Sequence, residues 1–316
     1  MGSYNTQIYD STENNIKLCA ELIKNGEVCA VPTETVYGLA GNALDPSAVE
    51  RIFIAKGRPS DNPLIVHISD IEMLAELTNE IPPLALRLAE RFWPGPLTMI
   101  FKKSRLIPDE TSAGLDTVGI RMPQHEAALN LIRACGLPLA GPSANSSGKP
   151  SPTSAKHVYD DLKGKIPAII DGGECNIGVE STVISFENNG VRILRPGYVS
   201  AEALRGFSEV FIDQGVFEKI SNDKKVISPG MKYKHYSPKA NVIIVDGELE
   251  QFCSFVDSVY KEKSYAVVFD SDSLNISTPH ICYGNSSEEQ AHRLFEVLRE
   301  LDDIGAETAY FRCPDK

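Results

Sequence analysis

KGRPSDNPL, residues 56–64, decides how the first half of this chain is read. The stretch before it, SAVERIFIA (47–55), carries apolar side chains at helical spacing, and LIVHI (64–68) just after it is a short apolar strand. The Gly, Pro, Ser and Asn between them mark a loop, and that loop brings two cations, Lys56 and Arg58, one residue apart. VPTETVYGLA (31–40), GPSANSSGKPSPT (141–153) and GVESTVIS (178–185) have the same make-up, small polar clusters beside apolar runs, so all four belong on loops at strand ends. Outward from them, periodicity predicts helices at 13–25, 47–55, 71–77, 83–92, 126–135 and 154–162. It predicts strands at 27–31, 64–68, 97–102, 117–122, 168–171, 181–186 and 191–195. Gly26 stops the first helix, and Asn188-Asn189-Gly190 makes a hairpin of the last two strands. Thr33, Thr35 and Tyr37 are expected just before a helix. This order argues for an α/β domain with a mixed rather than purely parallel sheet, complete by Arg195.

Between 221 and 239 the pattern fades into a polar stretch rich in Lys, Tyr, Ser and Pro, which reads as a linker. NVIIVD (241–246), a helix over 248–260, YAVVFD (265–270), HICYG (280–284), a helix over 287–301 and TAYFRC (308–313) then alternate as in a parallel sheet. The expected organisation is a domain at 1–213, a linker at 214–240 and a second domain at 241–316.

Over 316 residues, 42% hydrophobic and 23% charged content is that of a soluble globular protein. The formal net charge of −12 argues against an extended nucleic-acid surface, though not against a local basic pocket. The polar N-terminus lacks the apolar core of a signal peptide, and no apolar run is long enough to cross a bilayer, so a cytoplasmic location is expected. The seven cysteines are scattered without a C-x-x-C pair; they read as reduced, mostly buried thiols, with no structural zinc. Cys175 stands out only for its closeness to the GVESTVIS loop.

Loop donors beside fixed cations suit an anionic, phosphate-bearing ligand. For Lys56 and Arg58 the alternative is a solvated basic turn. On an extended loop the two cations point to a common side, with Asn62 as a neutral donor nearby. Thr33 and Thr35 are either helix caps or ligand contacts, and His67 is either a packed residue or part of a pocket wall. Thr117 and Arg121 lie four apart on one strand face. Arg121 is placed either to grip a carboxylate with its planar fork or to sit in an internal ion pair. Ser143, Asn145 and Thr153 either make turns or bring donors close to a ligand. A P-loop, a G-x-G-x-x-G fingerprint and a nucleophile–base arrangement are all missing from the sequence.

Taken in order, PTET-YGL, K-x-R-x-x-x-x-P-L, R-x-P, PSAN-SG, ESTV and RPG over residues 21–197 resemble the YrdC-type threonylcarbamoyl-AMP synthases. SPGMKYKHYSPKA (228–240) resembles the segment that joins the domains in their long form. The resemblance implies a YrdC-like mixed, twisted sheet with flanking helices around a concave cavity, followed by a smaller Rossmann-like parallel α/β domain. Long-form members normally continue with a glycine-rich turn and a last helix, so the second domain is expected to be truncated. The implied activity joins L-threonine, bicarbonate or CO2 and ATP into threonylcarbamoyl-AMP and pyrophosphate, for the threonylcarbamoyladenosine modification of tRNA next to the anticodon. Lys56 and Arg58 would act on phosphate charge. Arg58, Asn62, Thr117, Asn145, Thr153, Arg195 and Tyr236 would contact ATP, and Thr35, His67, Arg121, Ser143 and Ser181 would contact threonine. Glu180 is left between orienting a donor and meeting a Mg²⁺ that the phosphates mainly hold. The linker would fold over the cavity as a lid, the alternative being a surface strand that packs the domains together. A downstream tRNA threonylcarbamoyl transferase is the implied partner. A tRNA- or double-stranded-RNA-binding module is the competing reading, which the net charge disfavours. A carbamoyltransferase module of the hydrogenase-maturation type is a third, but the acylphosphatase and zinc-finger elements that precede such modules are missing.

Overall fold

The computed structural model describes residues 4–216 and 237–313. Tyr236 and residues 228–236 of the expected lid lie outside the described residues. The chain divides into two compact units; the second begins at residue 234 and takes in the short segments 148–150 and 177–179.

The first unit opens with β1 (Gln7–Asp10), α1 (Glu13–Lys24), β2 (Cys29–Val31), β3 (Gly38–Asn42), α2 (Pro46–Lys56) and β4 (Ile65–His67). It continues through α3 (Ile71–Leu77), α4 (Pro83–Phe92), β5 (Leu97–Lys102), α5 (Asp109–Ser112), β6 (Thr117–Arg121), α6 (Glu126–Cys135) and β7 (Leu139–Ala140). It closes with α7 (Ala155–Leu162), β8 (Ala168–Asp171), β9 (Thr182–Glu187), β10 (Gly190–Arg195), α8 (Ala201–Arg205) and β11 (Glu209–Ile212). The strands form one sheet in the order β1-β8-β2-β3-β7-β4-β6-β5-β9-β10-β11. It is mixed: β4 and β6 run parallel, whereas β5 and β6, and β9 and β10, run antiparallel. Alternation along the strands feeds two cores. Ala30 and Ile169 enter the larger one, built with α2, α4 and α7. Their neighbours Cys29, Val31, Ala168 and Ile170 enter a smaller one against α1 and α6.

Three expectations need correction. No helix follows Tyr37: Thr33–Val36 link two antiparallel strands, β2 and β3, because GLAGN packs Leu39 and Ala40 on opposite faces at 0% and 2% exposure. Lys56 is not on an extended loop but is the last residue of α2. The sheet does not end at Arg195, since β11 adds in parallel to β10. The short α8 between them buries Leu204 completely. With one buried apolar residue in α8 and none in β11, these two pieces were too weakly patterned to show in the sequence.

The second unit has β12 (Asn241–Val245), α9 (Leu249–Val259), β13 (Ser264–Val268), β14 (His280–Cys282), α10 (Ser287–Asp303) and β15 (Thr308–Arg312). Its four strands are all parallel, in the order β12-β15-β13-β14. Phe252 and Val256 of α9 pack on Ala266, Val268 and Tyr310. Ser286 and Glu289 close a capping box at the start of α10.

Leu204→Ala should cost about 2–5 kcal/mol, read as a lower urea midpoint. A chain ending at Arg195 should be destabilised further, while one ending at Val216 should keep the stability of the first unit. Equal midpoints for the two truncations would show that α8 and β11 contribute nothing to this sheet.

Candidate active site

Gly57 ends α2 in the left-handed region at φ 63°, its amide and that of Arg58 returning to Ile54 O and Phe53 O. That turn leaves Lys56 pointing inward, 3% exposed, while Arg58 is half-buried on the loop beyond. The Lys56 ammonium donates to Ser143 O, to Asn145 O at 2.9 Å and to Asn145 Oδ1 at 3.2 Å. In return, Ser147 N donates to Lys56 O at 2.8 Å. All three ammonium protons are therefore used, and the PSAN loop is strapped to the end of α2. Burial first, and the charge of Arg58 second, push the Lys56 amine down to about 7; Glu180 and Asp161 pull the other way. Asn62 follows on the same loop and is fully buried, with neither its amide oxygen nor its nitrogen hydrogen-bonded among the described residues. A buried amide in that state costs about 1–3 kcal/mol.

A second cluster forms where β2 turns into β3. The Arg121 guanidinium, at the end of β6, donates from Nε to Gly95 O at 3.1 Å and from Nη1 to Thr35 Oγ1 at 3.0 Å. Its Nη2 lies 2.7 Å from Glu34 Oε2, both side chains 5% exposed. That approach is close without being aligned as a hydrogen bond, and no donor is aligned on either Glu34 oxygen. Thr33 Oγ1 meets Thr35 Oγ1 at 2.9 Å and donates to Val36 O, so it holds the turn rather than capping a helix. His67 stands opposite Arg121 in the β4–β6 register. Burial and the Arg121 charge hold its imidazole down to about 3, so the ring is neutral. Gly141 is required beside it, because a Cβ there would lie 2.6 Å from His67 Nδ1.

A third group gathers at β9. Arg195 Nη1 pairs with Glu180 Oε2 at 2.6 Å, and its Nη2 donates to Ser181 O and Oγ at 2.7 and 3.0 Å. Ser181 Oγ also meets Thr98 Oγ1 at 2.8 Å, and Ser151 Oγ donates to Glu180 Oε1 at 3.0 Å. Thr153 Oγ1 lies 3.4 Å from His157 Nδ1 at the start of α7. Cys175, whose amide donates to Thr153 O, is 1% exposed and its thiol is pushed up to about 12 by burial; it is a packing residue.

Hydrogen bonds thus join Lys56 to Ser143 and Asn145, Thr35 to Arg121, and Ser181 to Arg195. Thr117 stands apart, about 13 Å along β6 from Arg121, with no hydrogen bond to the other candidates. Glu34 and the Gly95 carbonyl meet Arg121, and Ser151 meets Glu180; the sequence reading did not single out these three groups. For Glu34 there was a signal, a carboxylate between two threonines in an otherwise apolar stretch. Among the described residues no three His, Cys, Asp or Glu side chains are grouped as a metal site, and no helix is long and apolar enough to cross a membrane.

Comparison with known proteins matches residues 21–197 to the Sua5/YciO/YrdC family model, described as telomere recombination. Residues 199–316 match the C-terminal domain of threonylcarbamoyl-AMP synthase. The chain is 48% identical over 301 residues to a threonylcarbamoyl-AMP synthase of Pyrococcus abyssi, covering 93% of this chain and 87% of the relative. It is 49% identical over 248 residues to one from Bacillus subtilis, covering 78% and 71%. Among solved structures, P. abyssi Sua5 complexed with L-threonine superposes with a TM-score of 0.88 at 43% identity, covering 98% of this chain and 92% of that one.

The Lys56 shift has a measurable consequence. Folded, its amine titrates near 7 rather than at the ordinary 10.5, so between these values the unfolded chain binds more protons. The stability this group contributes is complete above 10.5 and is lost as pH falls toward 7. The stability of the wild type relative to Lys56→Met should therefore rise from pH 7 to pH 9, by up to about 1.4 kcal/mol per pH unit. Urea midpoints across that range give the slope; a flat difference would show that the folded amine keeps its proton and that burial does not lower it.

Proposed function

The chain belongs to the YrdC/Sua5 family of threonylcarbamoyl-AMP synthases and has its two-domain architecture, and from that premise we propose how its own residues divide the work. The activity is a nucleotidyl transfer that makes threonylcarbamoyl-AMP for the threonylcarbamoyladenosine modification of tRNA. The observation that carries the residue assignment is Asn62. Its buried amide makes no hydrogen bond among the described residues, on the loop that carries Arg58 and follows Lys56, and a nucleotide phosphate or base edge is the partner its chemistry asks for.

In this reading ATP lies over the Lys56–Asn62 loop. Arg58 and Asn62 contact it directly, Asn145 and Thr153 approach from the PSAN segment, and Arg195 from β10. Thr117 would meet a different part of the same extended molecule. Lys56 spends its protons on the PSAN loop, so it positions Ser143 and Asn145 and adds its charge to the phosphate field at short range. Threonine lies by Thr35, His67, Arg121, Ser143 and Ser181, with its carboxylate at Arg121. The threonine amine takes up CO2 from bicarbonate and loses a proton, giving an N-carboxylate. One oxygen of that carboxylate attacks the α-phosphorus of ATP, and pyrophosphate leaves with the electron pair. The substrate supplies its own nucleophile, so what the protein contributes is proximity and charge, and the missing nucleophile–base arrangement is accounted for.

Among the described residues no cage for Mg²⁺ is built: Glu180 is committed to Arg195 and Ser151, and Glu34 to Arg121. Mg²⁺ would be held by the triphosphate, where it would neutralise charge. A mixed anhydride of this kind calls for a transferase that passes the threonylcarbamoyl group to tRNA, and a cytoplasmic location would fit that reading. Nothing in the geometry favours an RNA-binding module instead.

Pyrophosphate release should require both L-threonine and bicarbonate. Serine, which lacks the methyl group, should be about 5–150-fold poorer in kcat/KM. Equal rates with serine would overturn the pocket.

Asn62 separates function from folding. Because its amide makes no hydrogen bond among the described residues, Asn62→Ala should leave the melting temperature nearly unchanged while weakening ATP binding about 10–150-fold. Unchanged ATP affinity by calorimetry would return Asn62 to a packing role.

A further inference from the structure

The buried carboxylate of Glu34 plays no part in the chemistry described above. It lies at the pocket wall between Thr33 and Thr35, 4% exposed, with the Arg121 guanidinium as its ion partner. Arg121 is held at all three nitrogens, by Gly95 O, Thr35 Oγ1 and Glu34. Of its five N–H groups, those not taken by Gly95 and Thr35 remain for a ligand. The charges around the pair are few. His67 is neutral, burial holds His125 below its ordinary value, and the Cys175 thiol keeps its proton. Glu126 also acts on His125 and Glu174 on Cys175, and Glu34 with Arg121 is the buried ion pair at this part of the site among the described residues.

We propose that Glu34 is the residue that makes the amino-acid pocket select a zwitterion: by balancing Arg121 in a buried pair, it removes the net positive charge that would otherwise accept any small carboxylate. This rests on the reading of Arg121 as the carboxylate contact. An unbalanced buried guanidinium attracts every monoanion, because the low-dielectric surroundings strengthen the interaction. With Glu34 2.7 Å away, the pair presents a plus and a minus side by side and no net charge. A monoanion entering there gains one attraction and meets one repulsion. A zwitterionic amino acid, neutral overall, sets its carboxylate toward Arg121 and its ammonium in the field of Glu34. That ammonium is the group that takes up CO2 once it has given up a proton to solvent, so the same field sets where the reacting nitrogen lies. Glu34 acts on specificity through Arg121 and is a positioning residue. The arrangement addresses a plain problem, since small carboxylates that share the threonine skeleton but lack the amine would occupy the pocket without reacting.

Calorimetry on the full chain tests this with two ligands, L-threonine and 3-hydroxybutanoate, which is the same skeleton without the amino group. The wild type should prefer threonine. Glu34→Gln should narrow the preference about tenfold or more, and do so by gaining affinity for the anion, a change that a purely structural role would not produce. Arg121→Met should lose both ligands. If Arg121→Met binds threonine as well as the wild type, the pocket reading itself fails. If Arg121→Met loses threonine while Glu34→Gln keeps the wild-type ratio, the pocket stands and the role of Glu34 is overturned. Should Glu34→Gln not fold, the wild type alone decides: similar affinities for the two ligands overturn the proposal, and a clear preference for threonine sustains it.

Discussion

The Lys56 ammonium, shut in between Ser143 and Asn145, is the contact on which the rest of the site depends. Moving a cation out of water is expensive unless every proton finds an acceptor. Here two backbone carbonyls and one side-chain amide oxygen supply the three. The arrangement works because α2 stops at that residue. One turn earlier the side chain would face the helix's own packing, and one residue later it would hang on the loop. A lysine suits the place better than an arginine, because three carbonyl-type acceptors around one point match a compact ammonium and not a flat fork. The strap fixes PSAN relative to Arg58 and Asn62, so two loops 80 residues apart in sequence move as one.

Two further ion pairs, the buried Arg121–Glu34 and the half-buried Arg195–Glu180, show the same economy of charge in different ways. Each places a guanidinium at a strand end and balances it with a carboxylate from a neighbouring turn. Such pairs add little to stability against an apolar replacement, so their presence is better explained by what they orient. Arg195 gathers Ser181 and, through Glu180, Ser151; Arg121 gathers Thr35 and the Gly95 carbonyl. With Lys56 they distribute positive charge over two strand ends and one helix end in a chain whose overall balance is strongly acidic.

Much of this was legible in the amino-acid order. Helices α3, α4 and α6 are where their 3.6-residue periodicity puts them, and the alternation of 241–313 announced a parallel sheet. The residues that were harder to place share one property: their role is set by a partner far away in sequence. Glu34 is legible as a polar residue, but only the β4–β6 register and the end of β6 bring Arg121 to it. Lys56 reads equally well as the end of a helix or the start of a loop, and Gly57 settles the matter through a backbone angle, not a pattern. The stretch GLAGN carries two glycines and no β-branched residue, so neither propensity nor alternation marks it as a strand; it is one because β2 and β7 pair with it on either side. Strand β11 and helix α8 fail for the opposite reason, too short to have a period at all.

The placement of the seven thiols settles how this protein can be labelled. Cys19, Cys29, Cys135 and Cys175 are all buried in the first unit, whereas Cys253, Cys282 and Cys313, all in the second, are only half-buried. Burial decides this rather than acidity, since a hydrogen bond with Cys29 lowers the Cys19 thiol and burial raises Cys253, and a thiol that the dye cannot reach does not react. A maleimide dye added to the folded chain will therefore decorate the second unit and leave the first untouched. Such a dye reports on the Rossmann-like unit alone, without a single cysteine having to be removed.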